Sequence, residues 1–218
     1  MEILFEDPVL LAVNKPAGMA AVPGGWEQAG PSLLETLEAE RGRLWIVHRL
    51  DRVTSGVIVF ARSAEAHRTL SQEFESRNVH KTYLAIVCGA PGWNDYACRL
   101  PLLVDVGHNH RTVVNKKKGQ EALTRFRVRE RFTGHALLEA SPETGRTHQI
   151  RSHLSALGFP ILADTLYRAE PTDLIDRPAL HAQSLRLTHP QSGQPLALTA
   201  PYPDDFAAAL ARLRAGRD

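Results

Sequence analysis

The chain has 218 residues, 26 Lys+Arg against 24 Asp+Glu, and 43% apolar residues. That length suits one large domain or two small, closely packed ones, with a core that needs neither disulfides nor metals. The 23% of charged residues excludes wholesale disorder. No apolar run approaches the roughly 18–20 residues needed to cross a bilayer. Glu2, Glu6 and Asp7 at the start are unlike the basic opening of a signal peptide. Cys88 and Cys98 make no disulfide framework, so a reducing cytoplasm is expected.

Along the chain, two short strands are expected at 3–6 and 9–14, broken by Asp7-Pro8. A turn follows at Asn14-Lys15-Pro16-Ala17-Gly18, then a Gly/Pro-rich mobile loop at 19–30. Pro31-Ser32 opens a helix with Leu33, Leu34 and Leu37 on one face. A short strand at 44–47 and a polar loop at 48–56 lead to Val57-Ile58-Val59-Phe60, which reads as a strand buried on both faces. Ser63 suits the N-cap of a helix to about residue 77. Strands are expected at 81–87, 122–129 and 136–140. In the second of these Arg125, Arg127 and Arg129 share a face, as on an exposed edge or a ligand-facing ribbon. A helix at 147–157 stops at Gly158 and Pro160. A hairpin (180–187 and 195–199) and a helix at 204–214 close the chain. The expected fold class is α+β with a mixed, mostly antiparallel sheet, flanking helices and a cleft across the sheet, residues 1–218 forming a single domain.

Charge is distributed unevenly. Residues 1–40 hold one Lys and seven acids, whereas residues 111–131 hold eight Arg/Lys and two acids. A basic stretch on a near-neutral body suits an enzyme that binds a polyanion, and it equally describes a solvated surface loop.

Three places carry candidate chemistry. Asp51 lies in a loop between two expected strands, flanked by Arg49 and Arg52, with Thr54-Ser55-Gly56 offering a tight turn. A carboxylate held between cations suits a nucleophile or a base; an Asp capping its own turn would look the same. Arg151 sits on the flank of an apolar helical stripe, where a guanidinium needs an anion of matching geometry. Asp51 is a natural partner, and a structural salt bridge is the plainer alternative. Arg146, Thr147 and the amides at the helix start would suit a phosphate. Tyr83 reads as core or as a ring that stacks a base. His108-x-His110 and His148/His153 catch the eye, but the second pair is spaced i,i+5, which splays it on a helix, and no Cys-x-x-Cys or His-Glu-x-x-His occurs, so no metal is expected. No Gly-rich phosphate loop signals a nucleotide cofactor.

Together these segments resemble one family. His48-Arg49-Leu50-Asp51-x-x-Thr54-Ser55-Gly56 resembles the signature of the RluA-type pseudouridine synthases. Asn14-Lys15-Pro16-x-Gly18, Lys81-Thr82-Tyr83-Leu84-Ala85 and Thr144-Gly145-Arg146-Thr147-His148-Gln149-Ile150-Arg151-x-His153 resemble its other motifs, in the expected order. Leu180-His181-Ala182 and His189-Pro190 resemble its C-terminal landmarks. Two places depart: Gly158-Phe159-Pro160 stands where the family usually has Gly-His-Pro, and Ala163-Asp164 where it has Gly-Asp. The chain resembles the short members, which lack an S4-type domain.

The resemblance implies isomerisation of uridine to pseudouridine in RNA without any cofactor. Asp51 then matches the catalytic aspartate, Arg151 the residue paired with it, and Tyr83 the active-site tyrosine. His48, Arg49, Arg52, Thr54, Lys81, Arg146, Thr147 and Ile150 are the expected substrate contacts. The target base must be flipped out of a ribosomal or transfer RNA stem-loop. A cytoplasmic monomer with no membrane or nucleotide-cofactor partner is expected. The alternatives are a glycosidic-bond hydrolase (a nucleosidase), with Glu143 or Asp164 as second carboxylate, and a non-catalytic RNA-binding or folding helper.

Overall fold

The computed structural model describes residues 1–24, 30–107 and 110–216. The centre of the expected 19–30 loop, and His108, lie outside the described residues. In chain order the elements are β1 (Glu2–Glu6), β2 (Leu10–Lys15), α1 (Leu33–Arg41), β3 (Trp45–Ile46), β4 (Ser55–Ala61), α2 (Ala64–Glu75), β5 (His80–Cys88), β6 (Asp95–Cys98), β7 (Leu102–Val106), β8 (Arg111–Val114), β9 (Thr124–Phe132), β10 (His135–Pro142), α3 (Gln149–Ala156), a 3-10 turn (Thr165–Tyr167), β11 (Leu180–Thr188), β12 (Pro195–Thr199) and α4 (Asp204–Ala215). The architecture is α+β with mostly antiparallel strand pairing, as expected. Among the described residues no helix is long and apolar enough to cross a membrane. The chain divides into two compact units, Met1–Lys81 with Ala182–Pro201 and Thr82–His181 with Tyr202–Asp218.

In the first unit the strand order is β1-β2-β4-β11, with β3 on β4 and β12 on β11. Asp7 ends β1 because its carboxylate accepts from the amides of Val9 and Leu10, a turn that feeds straight into β2. Every residue of β4 is buried, as its unbroken apolar run demands. Leu10, Val57, Val59, Leu70 and Leu185 form the centre of this unit's core. Both helices start on serine: Ser32 forms a capping box with Glu35, and Ser63 accepts from the amide of Ala66. Gly56 has φ +115°, and a β-carbon there would lie 2.7 Å from the carbonyl carbon of Ala182. Only glycine lets these backbones approach so closely.

In the second unit the order is β5-β10-β9-β6, and β7 and β8 form a separate two-stranded ribbon. Phe126, Leu138, Ile150, Leu154 and Phe206 are among its buried core residues. Helix α3 begins two residues later than the sequence suggests. His148, just before it, takes the left-handed conformation at φ 51°, which no helical residue adopts. The helix ends as expected: Gly158 (φ +84°) and Phe159 donate back to Ser155 and Leu154 in a Schellman closure.

Candidate active site

In the first unit, the loop carrying Asp51 joins β3 to β4. Leu50 is buried, Asp51 is half-buried and Arg49 is exposed. The amide of Thr54 donates to the Asp51 carbonyl at 3.0 Å, so 51–54 is a closed turn. A second turn is bound to it. The amide of Gly18 donates to Arg52 O at 2.8 Å, and Arg52 Nε returns a bond to Gly18 O at 2.8 Å.

Lys15 ties the two turns together. Its side chain is fully buried, and Nζ donates to Pro16 O (2.8 Å), Met19 O (2.8 Å) and Arg52 O (3.1 Å). A buried ammonium is tolerable only when its three donors find acceptors, so the turns are locked around it. Sequence alone marks no separate role for Lys15. The available signal was a lysine closing an apolar strand immediately before Pro-x-Gly.

Several expected substrate contacts have other tasks here. His48 Nε2 accepts the amide of Val59 at 3.1 Å, and its ring stacks on Phe74 with centroids 4.7 Å apart. An accepting Nε2 carries no proton, so this imidazole is neutral. Loss of hydration, reinforced by the charge of Lys81, holds its pKa down to about 3. His48 therefore anchors the loop to β4 through a neutral ring. Thr54 is 2% exposed and inside the fold. Lys81, on β5, is half-buried, and burial lowers its pKa from the usual lysine value.

In the second unit, Tyr83 lies on β5 opposite Ala140 of β10, half-buried against the core. Ile150 is a core residue, 6% exposed. Arg146 donates through Nε to Glu121 O, and its amide is taken by Gln149 Oε1 at 3.1 Å. Gln149 also accepts from Thr144 Oγ1 and donates to Leu123 O and Thr124 Oγ1. Thr124 Oγ1 in turn meets His153 Nδ1 at 2.9 Å. This buried network fixes the start of α3 from inside, where the sequence reading placed a phosphate. Thr147 is exposed, and its carbonyl accepts from Thr112 Oγ1 at 2.7 Å.

Arg151 is 4% exposed. The carboxylate in its fork is Asp164, with Nε to Oδ2 at 2.7 Å and Nη2 to Oδ1 at 2.9 Å. The sequence named Asp51 as the natural partner and did not foresee Asp164 on this edge. Asp164 follows Ala163, which sits at φ 61°. That conformation costs an L-residue about 1–2 kcal/mol and suits the glycine that the resemblance puts there.

A family model described as RNA pseudouridylate synthase matches residues 9–156, spanning the Asp51 loop, Tyr83 and Arg151. The chain belongs to that family. Its members are isomerases that convert uridine to pseudouridine in RNA. Ribosomal large subunit pseudouridine synthase D of Nitrosomonas europaea is 40% identical, covering 98% of this chain and 65% of its own. Synthase C of Haemophilus ducreyi is 37% identical, covering 98% and 69%. The chain thus spans about two thirds of the length of these relatives. Human RNA pseudouridylate synthase domain containing 4 has the same fold, with a TM-score of 0.80 and 27% identity over 98% of this chain and 93% of that one.

Proposed function

We propose that this chain isomerises a uridine of large-subunit ribosomal RNA to pseudouridine, with Asp51 as the catalytic carboxylate. Transfer RNA is the second candidate substrate. The reaction breaks the N1–C1′ bond, turns the uracil and joins C5 to C1′; the C5 proton leaves and N1 regains one. It is redox-neutral and consumes no second substrate. The observation that carries the reading is the platform under Asp51. Lys15, Arg52 and His48 hold a short loop rigidly on buried strands and leave a half-buried carboxylate on it. A preorganised charged group is what a nucleophile or base requires.

Tyr83 is assigned to the uracil, as a stacking ring or a proton acceptor at C5, and Arg151 to the positioning of the reacting groups. Arg49, exposed beside Asp51, and Lys81 are assigned to phosphates. Further phosphates are assigned to Arg111 and to the lysines of 116–118. Residues 1–218 are read as one catalytic domain working as a cytoplasmic monomer.

The hydrolase alternative needs a second carboxylate at the scissile bond. Both candidates are already held in ion pairs, Glu143 with Arg125 and Asp164 with Arg151.

RNA carrying tritium at uridine C5 tests the reading. The wild type is expected to release tritium into water without freeing uracil. Asp51→Asn is expected to lower that rate on the order of 10³-fold or more, with RNA affinity kept within about two-fold. Free uracil would establish the hydrolase. Undiminished pseudouridine formation by Asp51→Asn would remove the carboxylate from the mechanism.

A further inference from the structure

Arg151 is constrained on one edge and one face. On the edge stands Asp164, 1% exposed and bidentate. On the face lies the ring of Tyr167, its centroid 5.0 Å from the guanidinium carbon. Both are themselves fixed. The Asp164 carbonyl accepts from the amides of Tyr167 (2.9 Å) and Ala169 (3.1 Å), and its amide donates to Ile161 O at 3.0 Å. The Tyr167 hydroxyl accepts from the amide of Thr112 at 2.9 Å and meets His148 Nδ1 at 3.1 Å.

A salt bridge that served stability alone has no need of this arrangement, since apolar residues of like volume often do as well. What the fork and the ring together fix is the plane of the guanidinium. Of its five N–H donors, one on Nε and one on Nη2 go to Asp164. The direction of the remaining three follows from that plane. We propose that Asp164 is a positioning residue that acts through Arg151, aiming these donors at the group on which Arg151 works during isomerisation. The inference rests on the assignment of Arg151 to the reaction.

The test is single-turnover tritium release with enzyme in excess over RNA, at a temperature where circular dichroism shows each variant folded, with RNA affinity measured in parallel. Asp164→Asn replaces one acceptor oxygen by a donor. It is expected to slow the chemical step about 10–100-fold with affinity within about two-fold, as supporting residues typically do. Added to Arg151→Met, it is expected to cost nothing further, because the group it aims is gone. Asp164→Glu keeps the ion pair and moves the fork by one methylene. It is expected to slow the step about ten-fold and remains informative should Asp164→Asn not fold. Folded Asp164 variants at the wild-type rate would overturn the proposal while leaving Arg151 in place. So would an equal loss in the wild-type and Arg151→Met backgrounds. Wild-type turnover by Arg151→Met would instead remove Arg151 from the reaction, and Asp164 with it.

Discussion

The basic stretch at 111–131 divides into two regions of opposite character. On β9, the arginines that alternate along one face are met by acids. Arg127 pairs with Asp95 at 2.7 Å, Arg125 with Glu143, and Arg129 with Glu139. Arg131 spends its donors on Pro91 O, Trp93 O and Asn94 Oδ1. The strand register explains this, since Asp95 of β6 and Glu139 of β10 lie directly opposite Arg127 on either side.

Lys116, Lys117 and Lys118 differ. They are exposed, and among the described residues no carboxylate lies within ion-pair distance of them. Their backbone is nevertheless hydrogen-bonded into a turn. Asn115 Oδ1 accepts the amides of Lys117 and Lys118, and Gly119 N donates to Asn115 O at 2.8 Å. One region has neutralised its charge within the sheet; the other presents it from a rigid turn. A local sum of charges therefore says little about how much charge a polyanion would meet.

The largest expected effect comes from reversing the open cations. Lys116→Glu, Lys117→Glu and Lys118→Glu together are expected to weaken RNA binding on the order of 100-fold. The slope of log affinity against log salt should become shallower by about three, one per lost phosphate contact. Filter binding at several salt concentrations reads both, and an unchanged slope would break the contrast.

A smaller effect tests the turn rather than its charge. A β-carbon on Gly119 would lie 2.7 Å from the Pro101 carbonyl carbon, so Gly119→Ala must displace backbone. RNA affinity is expected to fall about three- to ten-fold with every lysine intact. Affinity equal to the wild type would show that charge alone matters there.

The smallest effect belongs to the paired arginines. Arg125→Gln with Arg127→Gln is expected to change RNA affinity by less than about two-fold. Each should leave the urea unfolding midpoint close to that of the wild type, since exposed ion pairs contribute little to stability. A loss of affinity as large as that of the lysine variants would erase the distinction.

Much of the local structure was legible. Alternation gave β9 its inside and outside, serines at 32 and 63 marked helix starts, and the unbroken apolar run of β4 announced burial on both faces. The ordered set of motifs was enough to expect the family to which the chain belongs. The position of Asp51 in a tight loop between two strands was legible too.

Other features depended on residues far apart in the chain. That Lys15 binds the carbonyl of Arg52, that His48 is a neutral acceptor for Val59, and that Asp164 fills the fork of Arg151 cannot be read from spacing. The charge on β9 could be counted but not cancelled in advance, because its partners arrive from β6, from β10 and from the loop after β10. Periodicity and capping act over a few residues, so the chain itself settles which segments become strands, helices and turns. Which buried donor meets which acceptor is decided only when the backbone closes and water is excluded, since each buried polar group must then find a partner among those the fold has brought within reach.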